Sequence, residues 1–252
     1  MGWVSGVIGG GLGAMIAGPI GAVIGAAIGA SMSGGQQLQT GAGGYQPQQR
    51  QAIFFTAAYS MFGKLAKADG RVCPNEIAAI EKISREALGL DAETRDYAIK
   101  VFTRAKDSTE PFSAYAEQFG SFFSHDHQLC RLMMSILFQV AMADGEMHPQ
   151  EEKMLLEAKT AFKLPESLYQ ALRNQYVGQH SSSVSMAKHY ENLGVASTAT
   201  TAEIKKAYRQ KASEYHPDKI EGKGLPPEFI KFANDRLAEI NESYDAIMSS
   251  RK

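Results

Sequence analysis

Three places in this chain hold side chains equipped for chemistry. The first is His125-Asp126-His127 with Cys130 three residues on, a spacing that offers imidazole and thiolate ligands to zinc. A fourth ligand is not apparent nearby and Cys130 falls on an apolar helix stripe, so no metal is assigned. Nothing in the sequence sets a base or oxyanion donors beside Cys130 or Cys73, so a thiol enzyme is not indicated. The second place is a pair of aspartates, Asp69 and Asp144, in two copies of the pattern ADGxxxPxE that stand 75 residues apart. Neither copy supplies oxygen ligands at alternate loop positions as a calcium loop must, and each aspartate is read as capping the N–H groups of its own turn. The third is His216-Pro217-Asp218, which follows a run containing Lys205, Lys206, Arg209 and Lys211. By itself that tripeptide is a solvated turn. Any function it has must come from the helices on either side.

Those helices are well marked. From Thr200 to Tyr215 the apolar or small residues Ile204, Ala207, Tyr208, Ala212 and Tyr215 fall three and four apart, the spacing of one helix face, and the basic residues fall opposite. Thr200 with Glu203 three residues later is a capping box, which fixes the start. Pro217 forbids continuation and biases His216 out of the helical region, so a polar turn is expected to follow. Upstream, Tyr190-Glu191-Asn192-Leu193-Gly194-Val195 is a short amphipathic turn stopped by Gly194. Downstream, Pro226-Pro227 opens a long helix in which Phe229, Phe232, Ala233, Leu237, Ile240, Tyr244 and Ile247 keep helical spacing. Two antiparallel helices joined by a loop carrying His-Pro-Asp are implied.

Residues 190–248 resemble the J-domain of DnaJ-type co-chaperones, in the YxxLGV opening, the basic second helix, the HPD loop and the run Leu237-Ala238-Glu239-Ile240-Asn241-Glu242-Ser243-Tyr244. The short fourth helix usual in J-domains is missing or rudimentary, and the loop Lys223-Gly224-Leu225-Pro226-Pro227-Glu228 looks like that of the membrane-anchored DjlA subgroup. The resemblance implies no catalytic group and no cofactor in this chain. It implies a regulator that docks on the ATPase domain of a DnaK-type chaperone through His216, Pro217 and Asp218, with Lys205, Tyr208, Arg209 and Lys211 at the interface. Pro217 would fix the loop before binding, Asp218 would meet a cation, and the basic residues would steer the module to an acidic patch.

The remaining chain is read from composition and period. At 252 residues and 44% hydrophobic content there is room for a proper core, and a net charge of −1 gives no general attraction to nucleic acid. Half of the 24 glycines lie in the first 35 residues, which sets that segment apart. Residues 3–32 carry no charge, longer than the roughly 20 residues that span a bilayer as helix, and residues 1–33 are read as a single transmembrane anchor. Gly9 and Gly13, then Gly21, Gly25 and Gly29, stand four apart, a spacing that lets helices approach closely in lipid, and the resemblance to DjlA-type anchors implies a homodimer through them. Arg50, Lys64 and Lys67 follow the run, so the C-terminal domains are placed in the cytoplasm, on an inner (plasma) membrane.

Residues 34–50, rich in Gly, Gln and Ser, are read as a linker, and residues 178–186 as a second one before a J-domain at 187–252. Between them, at 51–177, apolar stripes at helical spacing include Ile53, Phe54, Ala57, Ala58, Met61, Phe62 and Leu65, then Ile77, Ile80, Ile83 and Leu88, with no strand pattern, so the fold class is all-α. The repeated ADGxxxPxE pattern is similar to that of TerB-like helical domains, which share the DjlA architecture. The resulting expectation is a membrane-anchored J-domain co-chaperone whose client the sequence does not name. The alternative is a membrane-bound sensor scaffold whose bundle binds a metal, ligand or protein and recruits chaperone through the J-domain.

Overall fold

Proline and short side chains that accept backbone N–H bonds write most of the helix starts. The computed structural model describes residues 16–28, 47–68, 80–143, 145–177, 186–221 and 223–251, and they are helical with no strand among them. In chain order the helices are α1 (Pro19–Ile28), α2 (Pro47–Leu65), α3 (Ala92–Asp107), α4 (Phe112–Phe123), α5 (His127–Ala141), α6 (Pro149–Ala161), α7 (Glu166–Val177), α8 (Met186–Leu193), α9 (Thr201–Glu214), α10 (Pro217–Glu221) and α11 (Pro227–Ser250). Asp91 caps α3 by accepting from the Thr94 N–H, and Asp126 caps α5 by accepting from that of Leu129. His148 and Glu151 form a reciprocal box on α6, with Pro149 at its first position. Gly145, in the second ADG copy, has φ +103°, a conformation that glycine adopts without the cost of a Cβ. Asp144 lies outside the described residues, as do Asp69 and the rest of the first copy through Asn75 and Glu76.

Helix α2 is the axis of the bundle. Every residue from Ala52 to Leu65 is buried, so the single apolar stripe expected from sequence is in fact a helix covered all round. Its polar groups are satisfied from neighbouring elements. Thr56 shares a 3.0 Å hydrogen bond with the Tyr97 hydroxyl, Tyr59 bonds Ser84 at 2.7 Å, and Lys64 Nζ donates to the Ser108 carbonyl at 2.8 Å. Ser84 belongs to a π-turn at Ile83–Ala87, which interrupts the helical stripe expected through Ile80 and Leu88. Gly63 lets α3 approach: a Cβ there would sit 2.6 Å from the Phe102 carbonyl oxygen.

The aromatic heart of the bundle is closed by a residue from the far end of the chain. Phe54 meets Phe119, Phe123 and Phe229 edge to face at 5.5, 5.9 and 4.9 Å between ring centroids. Phe229 lies on α11, and with Ile220, Leu225, Phe232 and Ala233 it belongs to the bundle core. A second, smaller core joins Tyr190, Leu193, Ile204, Ile240 and Ile247, with Tyr208, Tyr244 and Met248 packed against it. The sequence had placed all the apolar residues of α11 in one hairpin. They are divided instead between two cores, which the single helix links.

The N-terminal segment departs from the expected continuous span. A break at Gly18, φ +96°, lets Pro19 start a ten-residue helix, about 15 Å long against a hydrocarbon thickness of about 30 Å. Ile20, Val23 and Ile24 are buried in the bundle core, and the Gln118 amide holds the helix start, accepting from the Ile20 N–H at 2.8 Å and donating to the Ala17 carbonyl. Among the described residues no helix is long and apolar enough to cross a membrane. Gly21 is already occupied by its own chain, since a Cβ there would meet the Ile16 carbonyl, whereas Gly25 faces open space. Gly9, Gly13 and Gly29 lie outside the described residues, as do residues 34–46 and 178–185 of the two expected linkers.

Candidate functional site

The capping box expected at the start of α9 is formed in full: the Glu203 N–H donates to Thr200 Oγ1 at 3.3 Å, and the Thr200 N–H donates to Glu203 Oε2 at 2.7 Å. That fixed start sets which residues of α9 look outward. Lys205 and Arg209 are exposed one turn apart, and the Arg209 Nε donates to the Lys205 carbonyl at 3.2 Å. Tyr208, between them, stacks on Tyr244 with centroids 4.1 Å apart, and its hydroxyl donates to Asn241 Oδ1 at 3.1 Å. The tyrosine thus ties α9 to α11 while its edge borders the basic face.

After α9 the chain does not enter the expected polar turn. Pro217 stops one helix and starts another, because its fixed φ and missing N–H suit a first helical position. Tyr215 and His216 lie between the two helices. The His216 Nδ1 accepts the Asp218 N–H at 3.3 Å and stands 3.8 Å from the Asp218 carboxylate, and the two side chains are 49% and 86% exposed. The tripeptide is therefore an ordered protrusion held by its own backbone, with the imidazole and carboxylate presented together to solvent.

Lys211 does not join this face. At about 100° per residue it lies roughly 240° around α9 from Lys205, and it points into the bundle. Its Nζ donates to Gln175 Oε1 at 2.9 Å and to the Asn192 carbonyl at 2.8 Å. Burial, opposed by Glu214 and reinforced by Arg236, pushes its pKa down to about 8. The linked stability follows in sign: between pH 8 and the ordinary lysine value of 10.5 the unfolded chain binds more protons, so wild type gains stability as pH rises. Measured by urea denaturation, the stability of wild type relative to Lys211→Met is expected to rise by on the order of 2 kcal/mol between pH 7 and 10. A constant difference would mean that the ammonium is not desolvated.

The HxHxxC cluster is not assembled into a site. The Cys130 thiol is buried, donates to the Phe123 carbonyl at 3.2 Å, and has its pKa pushed up by burial to about 12. Asp126 is committed to capping α5 and to Lys223, and among the described residues no three His, Cys, Asp or Glu side chains converge to hold a metal.

The back of the loop is gripped by the bundle. Arg131 pairs with Glu214, Ser135 shares a 3.0 Å hydrogen bond with the Tyr215 hydroxyl, and Arg236 donates to Gln139 at 3.2 Å and to the Tyr176 hydroxyl at 2.8 Å. Lys223 pairs with Asp126, and its carbonyl accepts from Arg50, while Gln51 donates to the Leu225 carbonyl. At the far end Arg251 donates to the Tyr190 hydroxyl and to the Ser197 and Ala199 carbonyls, closing the last turn of α11 onto the α8–α9 connection.

Family models match both halves of this arrangement: residues 55–174 match the tellurite resistance protein TerB family, and residues 188–252 match the DnaJ domain. Over most of its length the chain is also similar to curated co-chaperones. It is 31% identical over 234 residues to the co-chaperone protein DjlA of Aliivibrio fischeri, covering 83% of this chain and 82% of that protein. The chain belongs to the DjlA co-chaperone family. The Coxiella burnetii protein is 31% identical over 218 residues (82% and 80% covered), and that of Vibrio cholerae 30% over 240 residues (85% and 84%). No solved structure matches the chain. Against these DjlA relatives the sequence reading of a TerB-like bundle followed by a J-domain stands, and the chain is a co-chaperone with TerB and DnaJ parts. What the reading missed is the set Arg131, Ser135 and Gln139. Its signal was present, as polar residues at four-residue intervals in an otherwise apolar helix.

Proposed function

We propose that this co-chaperone docks on the ATPase domain of a DnaK-type chaperone through His216, Pro217, Asp218, Lys205, Tyr208 and Arg209, and that docking accelerates ATP hydrolysis by the partner. The observation carrying this reading is the ordered, outward-facing His216–Asp218 pair beside the exposed Lys205 and Arg209. The partner's ATP chemistry needs no group from this chain. What the chain supplies is a surface shaped before binding, which lowers the ordering cost of association. The test is steady-state ATP hydrolysis by a purified DnaK-type chaperone with substoichiometric full-length protein. Turnover should rise with wild type. The Lys205→Glu/Arg209→Glu variant should associate about tenfold more slowly at low salt and approach wild type at high salt, because exposed charges are screened beyond roughly 8–10 Å. Absence of stimulation by wild type at equimolar protein would end this reading.

The same proposal assigns the uncharged residues 3–15, ahead of the segment packed on the bundle, to attachment at the inner membrane with the C-terminal domains in the cytoplasm. Pairing of two copies in lipid is assigned to Gly9 and Gly13, ahead of the helix that packs on the bundle. Retention of the full-length protein on membranes through alkaline carbonate washing supports attachment, and release refutes it.

A further inference from the structure

The residues on both sides of the His216-Pro217-Asp218 loop are held by one helix of the bundle. Arg131, Ser135 and Gln139 stand four apart along α5, on one face of a helix that from Leu129 onward is apolar and buried on its other faces. In that order they meet Glu214, Tyr215 and Arg236. The capping residue of the same helix, Asp126, pairs with Lys223. Glu214 and Tyr215 immediately precede the loop, and Lys223 lies five residues after it. Ser135 is completely buried, and burial raises the pKa of the Tyr215 hydroxyl that it meets. Between these polar grips Ile220 and Leu225 are sunk into the bundle core. None of these contacts reaches the exposed surface of His216 or Asp218.

We infer that α5 is the positioning element of the docking loop: the TerB-matching bundle orders the ends of the loop from behind, so that His216 and Asp218 are presented to the chaperone in a fixed orientation. The inference rests on the docking reading above for its consequence, but the ordering itself is a property of this chain alone. It gives the bundle a task within the co-chaperone's action. An isolated J-domain hairpin would carry the same tripeptide without the grip.

The Arg131–Glu214 pair provides the test. Arg131→Glu and Glu214→Arg each place like charges in contact, and the double variant Arg131→Glu/Glu214→Arg restores an opposite pair with its ends exchanged. Two readouts are taken on full-length protein. One is backbone hydrogen exchange over residues 215–225 without any chaperone, with residues 186–193 and 237–250 as the internal control for folding. The other is the concentration of protein giving half-maximal ATPase stimulation, recorded separately from the plateau.

Each single variant is expected to lose protection over 215–225 but not in the control segments. Its half-maximal concentration should rise about tenfold with the plateau within twofold of wild type, because the docking surface is intact and only its ordering before binding is lost. The double variant should recover both. Unchanged exchange in the single variants, unchanged half-maximal concentration despite faster exchange, or failure of the double variant to recover would each overturn the inference. If wild type itself gives no stimulation, the docking reading fails. In that event the exchange measurement still decides whether α5 orders the loop.

Discussion

His216→Gln is expected to remove the proposed stimulation of a DnaK-type ATPase and to leave the protein folded. The side chain is about half exposed, belongs to neither hydrophobic core, and its hydrogen bond in the structure is the one it accepts from the Asp218 N–H. Its loss therefore falls in the range of a surface substitution, about 0.5 kcal/mol or less. The helices on either side are fixed by other means, α9 by the Thr200–Glu203 box and α10 by Pro217. Function should respond differently, because the half-exposed imidazole stands beside the Asp218 carboxylate where a partner can reach it. Circular dichroism melts of wild type and variant should superimpose within a few degrees, while steady-state turnover of the chaperone falls to its basal rate with the variant. Equal stimulation by both proteins would remove the loop from the mechanism.

How far the sequence carried can be judged from where it stopped. The elements specified by residues within one turn of each other were legible. The box at Thr200 and Glu203, the left-handed stop at Gly194 and the Pro-initiated α11 all form where the spacing put them. Features set by a partner distant in the chain were not. Lys211 looked like one more member of a basic run, and only the helical rotation together with Gln175 and Asn192 shows that it faces inward. Phe229 kept the period of α11, but periodicity says which face is apolar without saying which core that face enters. The uncharged run at the N terminus read as one span although Pro19 interrupts it, because composition carries no sign of the Gln118 amide that receives the break. Around the His216-Pro217-Asp218 loop, residue types were legible and their grouping was not: His216, Asp218, Lys205 and Arg209 are exposed, and Lys211 is turned away.

Phe229→Ala should destabilise the whole protein, although the residue lies in the part matched by the DnaJ domain. Its ring is fully buried, packed edge to face on Phe54 at 4.9 Å and on Phe55 at 6.0 Å, in the centre of the bundle. Truncation leaves a cavity among rings anchored on α2, a helix buried all round that cannot move in to fill it. The expected loss is about 3–5 kcal/mol. Urea denaturation followed by far-ultraviolet dichroism reads it directly, with wild type unfolding in one transition because the two cores share α11. Ile99→Ala, at a residue 45% exposed on α3, is the comparison and should cost about 0.5 kcal/mol or less. A loss below about 1 kcal/mol for Phe229→Ala would show that the bundle core closes without α11.

That shared ring also bears on synthesis. Translation delivers the bundle helices through Val177 first, and Phe229 follows roughly 50 residues later. At about 5–20 residues per second the interval is about 3–10 s, long compared with the roughly 10–100 μs in which a chain of this size collapses. Throughout that interval Phe54 and Phe55 wait without the ring that covers them. The nascent bundle is thus expected to expose these rings until the segment bearing the His216-Pro217-Asp218 loop has itself been made.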